Sequence, residues 1–107
     1  MEIASYQESI QLFANHNHDL GPFLIIHRLG KHFGDLSEKI HNLLADAEGN
    51  INDEDRIKLA ISLGDMMNDI ATMASDLGIS MTDILDINIR KLQLEHKDKT
   101  NNIENFK

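Results

Sequence analysis

Three aspartates, Asp35, Asp65 and Asp69, together with His32 and Glu38, have side chains and spacings that can do chemistry in concert. Asp65 and Asp69 are four residues apart, one turn of an α-helix, and so share a helical face. His32 and Asp35 are three residues apart, and Glu38 lies three beyond Asp35, so each neighbouring pair is within reach on a helix. If the two segments lie side by side as antiparallel helices, Asp35, Asp65 and Asp69 converge with His32 near them. Carboxylates projecting from facing helices are one way a bundle builds a metal site. Mg²⁺ favours anionic oxygen ligands and keeps several waters, whereas imidazole suits Zn²⁺ and other borderline metals. The competing reading of the same residues is a pair of solvated flanks on amphipathic helices, and spacing alone favours it.

The elements that must position these residues are helices. Proline occurs once and aromatic residues make up 5% of the chain. Apolar periodicity predicts four helical segments. The first runs from about Ile3 to Asn15, with Ile3, Tyr6, Ile10 and Phe13 on one side. After a loop ending at Gly21, Pro22 can open the second helix. This helix runs to about Ala47 and carries Leu29, Phe33, Leu36, Ile40, Leu43 and Ala47 at alternating spacings of four and three. Such an alternation is a seam for packing against another helix. Gly49 fits the stop, and Asn52 or Asp53 can cap the third helix. That helix runs from about Asp53 to Leu77, with Leu59, Leu63, Met66, Ile70, Met73 and Leu77 at the same spacing. Gly78 ends it, and Ser80 caps a fourth helix that reaches about Lys97. The expected architecture is therefore all-α: a four-helix bundle with two long antiparallel central helices, expected to be joined in oligomers through apolar surface. Residues 1–97 form the single domain and 98–107 a polar, frayed tail.

Length and charge narrow the function. A chain of 107 residues makes one domain with a modest core. Ten Lys and Arg against eighteen Asp and Glu leave a formal net charge of −8. That balance argues against nucleic acid and against an anionic membrane surface as partners. The absence of cysteine excludes a disulfide framework, a Cys-ligated zinc site and thiol catalysis. No signal peptide and no apolar run of membrane-spanning length is visible, so a cytoplasmic protein is expected.

Other candidate groups are weaker. His16 and His18 have a metal-compatible spacing but sit in an Asn-rich stretch, which reads as a turn with exposed imidazoles. His27, His41 and His96 are scattered. The segment Asp46 to Asp55 has a calcium-like composition, but Gly49 falls at the fourth place where an EF-hand loop needs it at the sixth. Met66, Met67 and Met73 lie on or beside the seam and read as core filler or interface. No serine has a readable His and acid relay, and no glycine-rich phosphate loop is present.

The stretch Ile61-Ser62-Leu63-Gly64-Asp65-Met66-Met67-Asn68-Asp69, then Ala74-Ser75-Asp76-Leu77-Gly78-Ile79-Ser80, then Ile87-Asn88-Ile89-Arg90-Lys91-Leu92, resembles the MazG-like nucleotide pyrophosphohydrolases. Upstream, Tyr6-Gln7 and Leu29-Gly30-Lys31-His32-Phe33-Gly34-Asp35-Leu36 extend the likeness to roughly residues 5–97. The resemblance implies an all-α fold in homodimers or homotetramers. It also implies cleavage of nucleoside triphosphates to monophosphate and pyrophosphate by Mg²⁺ held on a Glu-Glu-x-x-Glu and a Glu-x-x-Asp motif. Carried onto this sequence, the first motif becomes Lys31, His32 and Asp35, and the second becomes Ser62 and Asp65. Asn88 and Lys91 match the family's phosphate-contacting Asn-x-x-Lys, while a later basic position is Glu95 here.

About five motif carboxylates are thus reduced to two. A mechanism in which one ion activates water and another holds phosphates is hard to assemble from Asp35 and Asp65, even with Asp69 and Glu38 beside them. The sequence therefore leads to a MazG-like protein whose Mg²⁺-dependent catalysis is lost or altered, with a weakened Mg²⁺ site and nucleotide as a possible remaining ligand. The alternatives are an active nucleotide pyrophosphohydrolase and a non-catalytic helical assembly protein.

Overall fold

Four helices account for the described structure: α1 (Ile3–Phe13), α2 (Gly21–Asp46), α3 (Asp53–Asp76) and α4 (Met81–Asn105). The computed structural model describes the chain over residues 1–13, 21–46 and 50–105, and its side chains over 1–13, 23–46 and 50–99. Among these residues there is no strand, so the fold is all-α. No described helix is long and apolar enough to cross a membrane. The His16 and His18 pair, Ala47 and the Gly49 stop lie outside the described residues.

Local chemistry sets the helix ends. Asn52, in an extended conformation, accepts the Asp55 amide on Oδ1 at 2.8 Å, and Asp55 accepts the Asn52 amide at 3.4 Å. This reciprocal box satisfies two of the amides that a helix start leaves without partners. Asp53, Glu54 and Asp55 also place three carboxylates against the positive end of the α3 dipole. At the other end, Gly78 takes the left-handed conformation, φ 71°. Its amide donates to the Ser75 carbonyl and that of Ile79 to the Ala74 carbonyl, a Schellman closure that turns the chain into α4. Ser80 Oγ then accepts the Asp83 amide at 3.1 Å. α4 continues to Asn105, past the end expected near Lys97. Its polar sequence beyond Lys97 contains neither glycine nor proline, so polarity alone is no reason for the helix to stop.

The broadest packing is between α2 and α3. Their register follows from two side-chain pairs: His32 meets Asp69, and Lys39 meets Ser62. Moving seven residues forward on α2 moves the partner seven residues back on α3, so the helices run antiparallel. In heptad terms, Ile25, His32 and Lys39 hold the d positions of α2, and Leu29, Leu36 and Leu43 the a positions. On α3, Ser62 and Asp69 are at d, with Leu59, Met66 and Met73 at a.

This corrects the phase of both expected seams. Leu29, Leu36 and Leu43 do face α3, as do Leu59, Met66 and Met73 on the partner helix. The remaining members that can be described, Phe33 and Ile40 on α2 and Leu63, Ile70 and Leu77 on α3, are exposed at the neighbouring e positions. The hydrophobic string in the sequence runs across a and e together, whereas the d layer is largely polar.

A second, smaller core joins α1 and α4 to the far side of α3. Ala71, Ala74 and Met81 are buried there, with Tyr6, Ile10 and Ile84 packed against them. The alanines let α1 approach closely. Of the four residues expected on one side of α1, Tyr6 and Ile10 face this core, whereas Ile3 and Phe13 are exposed. Gln7 locks the junction: its Nε2 donates to the Ile79 carbonyl (2.9 Å) and to Ser75 Oγ (3.2 Å), and its Oε1 accepts the Met81 amide (2.9 Å). Beyond its first two turns the described side chains of α4 are exposed.

Candidate functional site

The d-layer alignment brings two of the expected site residues into direct contact. Asp69 is fully buried, with 0% of its surface exposed. Its Oδ1 accepts Nε of Arg28, and its Oδ2 accepts Nδ1 of His32, each at 2.5 Å. An acceptor carboxylate on Nδ1 sets the imidazole tautomer with the proton on that nitrogen. Arg28 and His32 lie one turn apart on α2, which is why a single carboxylate on α3 can meet both. A buried carboxylate costs several kcal/mol in lost hydration, roughly, unless cations and hydrogen bonds satisfy it; here both oxygens are engaged. No buried side-chain polar atom among the described residues lacks a partner.

One heptad along the hairpin, Lys39 Nζ donates to the buried Ser62 hydroxyl at 2.7 Å. A third buried polar group, Thr72, satisfies its hydroxyl on the Asn68 carbonyl of its own helix (2.8 Å). Tyr6 of α1 has its phenol pKa raised above 10.0, first by burial and second by the negative charge of Asp69.

The other expected metal ligands stay apart from this centre. Asp35 and Glu38 on α2 and Asp65 on α3 are exposed. Asp35 and Asp65 occupy g positions, and in an antiparallel pair the g positions of the two helices border the same side of the seam. They share a polar flank, as the sequence suggests, but the third carboxylate is turned into the seam and engaged by Arg28 and His32. Among the described residues no group of three or more His, Asp or Glu side chains is arranged to hold a metal ion. The donor set fails on charge as well as number. Arg28, His32 and Lys39 bring cationic or hydrogen-bond-donating groups to the positions where a hard cation needs lone pairs. The residues present therefore do not fit the Mg²⁺ cluster that the resemblance implies.

Asn88 and Lys91, expected to hold phosphates, are exposed on the part of α4 that leaves the bundle. The Lys91 ammonium lies 3.8 Å from Glu95, one turn on. Within one chain α4 packs on α1 rather than on the polar flank of the hairpin. A cleft at the loop end of the hairpin is lined by Lys39, Asn42, Asp46, Asp55 and Lys58, two cations balancing two carboxylates.

Three contributions escape a reading of apolar periodicity: Arg28 as the partner of Asp69, the Lys39 to Ser62 bond, and Gln7 at the α3–α4 turn. The signal for the second was present. His32 and Lys39 are a heptad apart, and so are Ser62 and Asp69, which is what matched polar layers across an antiparallel seam require.

The site thus defines a helical hairpin cross-braced by a buried carboxylate, Asp69, that is held by Arg28 and His32. In sequence, a stretch of 66 residues is 33% identical to the "Gene 37 protein" of Mycobacterium phage L5, covering 62% of this chain and 57% of that protein. The chain therefore spans little more than half the length of this curated relative. No family model matches the sequence, and no solved structure matches the fold.

Proposed function

We propose that the chain is a divergent MazG-like helical protein that has exchanged Mg²⁺-dependent pyrophosphohydrolysis for a structural cross-brace, and that it works as a non-catalytic assembly module. The observation that carries this reading is the Asp69 carboxylate. It is fully buried and saturated by Arg28 and His32, so the hairpin neutralises its internal charge with side chains instead of a metal. The Lys39 ammonium on Ser62, at a position where the resembling family carries a ligand carboxylate, supports the same conclusion. So does the placement of Asn88 and Lys91 away from the polar flank within one chain. The phage relative's name carries no activity and adds nothing to the choice.

The test is incubation of the full chain with a panel of nucleoside triphosphates and Mg²⁺ or Mn²⁺, with pyrophosphate release followed. The proposal expects no release above buffer. Turnover that disappears in Asp65→Asn overturns it.

A further inference from the structure

In the cleft at the loop end of the hairpin, charges balance in number but not in contact. The cleft encloses about 350 Å³, and Leu43 and Leu59 give it an apolar lining. That volume lies near the lower end of the range for small-molecule sites. Its polar lining comes from both helices: Lys39, Asn42 and Asp46 from α2, Asp55 and Lys58 from α3. The first acids of α3 are matched by cations about one turn on, Asp53 by Arg56 at 2.8 Å and Glu54 by Lys58 at 3.4 Å. Among the described residues no ion pair engages Asp46, Asp55 or Lys39, and the Lys39 ammonium instead donates to the Ser62 hydroxyl. We infer that this cleft binds a linear zwitterion, a carboxylate and an ammonium at the two ends of a short methylene chain.

The ligand class follows from where the unmatched charges stand. Seven residues on from the Lys39 and Ser62 bond, the antiparallel register brings Asp46 level with Asp55. Two carboxylates thus stand together at one end of the cleft, about 10 Å along the helix axis from the lysine. The end of α2 adds to the negative side. Its last turn carries no basic residue, so no side chain there opposes the negative pole of the helix dipole. The ligand ammonium therefore belongs between Asp46 and Asp55. Its carboxylate belongs on Lys39, whose ammonium has donors left after Ser62. The methylenes between them lie on Leu43 and Leu59. A solute with anionic groups alone meets Asp46 and Asp55, and one with cationic groups alone meets Lys39. The inference concerns the loop end of the hairpin, apart from the Arg28, His32 and Asp69 centre, and does not rest on the loss of hydrolysis.

The probes are 6-aminohexanoate and 8-aminooctanoate, titrated into the full chain and followed by amide-resolved NMR. Both are expected to shift the signals of the cleft residues saturably, and added salt is expected to weaken them. Hexanoate and hexylamine, with one charge each, and glycine, whose charges are too close to span the cleft, are expected to bind roughly two- to fivefold more weakly, the scale of one exposed ion pair. Asp46→Asn is expected to weaken 6-aminohexanoate by the same factor, whereas Asp83→Asn, an exposed change on α4, is not. Lys39→Met tests the other end, although it also removes the Ser62 bond. Acetyl-glycyl-lysine presents the same two charges from a chain end. Binding tighter than that of 6-aminohexanoate identifies the source as a peptide terminus, and weaker binding identifies a free solute. Absence of a saturable shift with every zwitterion overturns the proposal. Equal affinity for hexanoate, hexylamine and 6-aminohexanoate, or an Asp46→Asn variant that binds as the wild type does, overturns it equally.

Discussion

At the scale of single residues, stability turns on Asp69. Removing one member of a buried ion pair strands the other charge, while replacing the whole set by apolar side chains removes the desolvation cost along with the attraction. Arg28 is 41% exposed on its side chain, so part of its contribution is screened. Arg28→Ala is expected to destabilise by about 3 kcal/mol, the lower end of the range for breaking such a pair. The combined variant Arg28→Met, His32→Leu and Asp69→Leu is expected to come within about 1 kcal/mol of the wild type, or above it. Urea denaturation at one fixed protein concentration measures both. A triple variant as unstable as Arg28→Ala would show that the triad is not an isolated electrostatic unit. Tyr6 adds a pH dependence. Its raised pKa means that above pH 10.0 the folded chain holds a proton the unfolded chain has released. The associated stability is therefore fully present below the ordinary tyrosine value and is lost as pH rises through the raised one. Tyr6→Phe is expected to flatten this alkaline loss. With one tyrosine and no tryptophan, near-ultraviolet absorbance titration reports Tyr6 alone and should show its midpoint above 10.0.

At the scale of elements, much of the fold was legible. Caps and stops are written in residue types with one physical use each: Asn52 and Asp55 for the start of α3, Gly78 for its end, Ser80 for the start of α4. Asn52→Ala is expected to cost about 1 kcal/mol, and differential scanning calorimetry should register it as a lowered Tm. Gly78→Ala tests the turn separately. A Cβ there meets nothing within 4 Å, so the cost is the left-handed backbone alone, about 1 kcal/mol. The seam phase was not legible from hydrophobicity. Phe33, Ile40, Leu63 and Ile70 are as apolar as Leu36 and Met66, and nothing in their chemistry says which row is covered within one chain. What fixes the phase is the polar layer, because buried Ser62 and Asp69 are tolerated only where partners from the other helix, Lys39 and the half-buried His32 with Arg28, reach them. The same limit governed the candidate site. The one-turn spacing of Asp65 and Asp69 suggests two ligands on one face, but it does not distinguish a residue on the flank from one turned into the seam.

At the scale of the whole molecule, two surfaces of opposite character lie on the two sides of one hairpin. The polar flank carries Asp35, Lys58 and Asp65, and the opposite side carries the exposed apolar residues Ile26, Phe33 and Ile40 of α2 and Leu63 and Ile70 of α3. Among the described residues the carboxylates behind the net charge of −8 include exposed ones such as Asp46, Asp53, Glu54 and Asp83, and no group of three or more is arranged to hold a metal ion. The polar flank can be tested without any assumption about substrate, because Mn²⁺ substitutes for Mg²⁺ at carboxylate sites and is paramagnetic. Electron paramagnetic resonance of free Mn²⁺ during titration with the full chain is the most direct measurement of the central claim. The cross-braced hairpin predicts that the free-ion signal falls no further than with Asp65→Asn, so that no saturable site appears. Stoichiometric uptake of Mn²⁺ by the wild type that Asp65→Asn abolishes would contradict it.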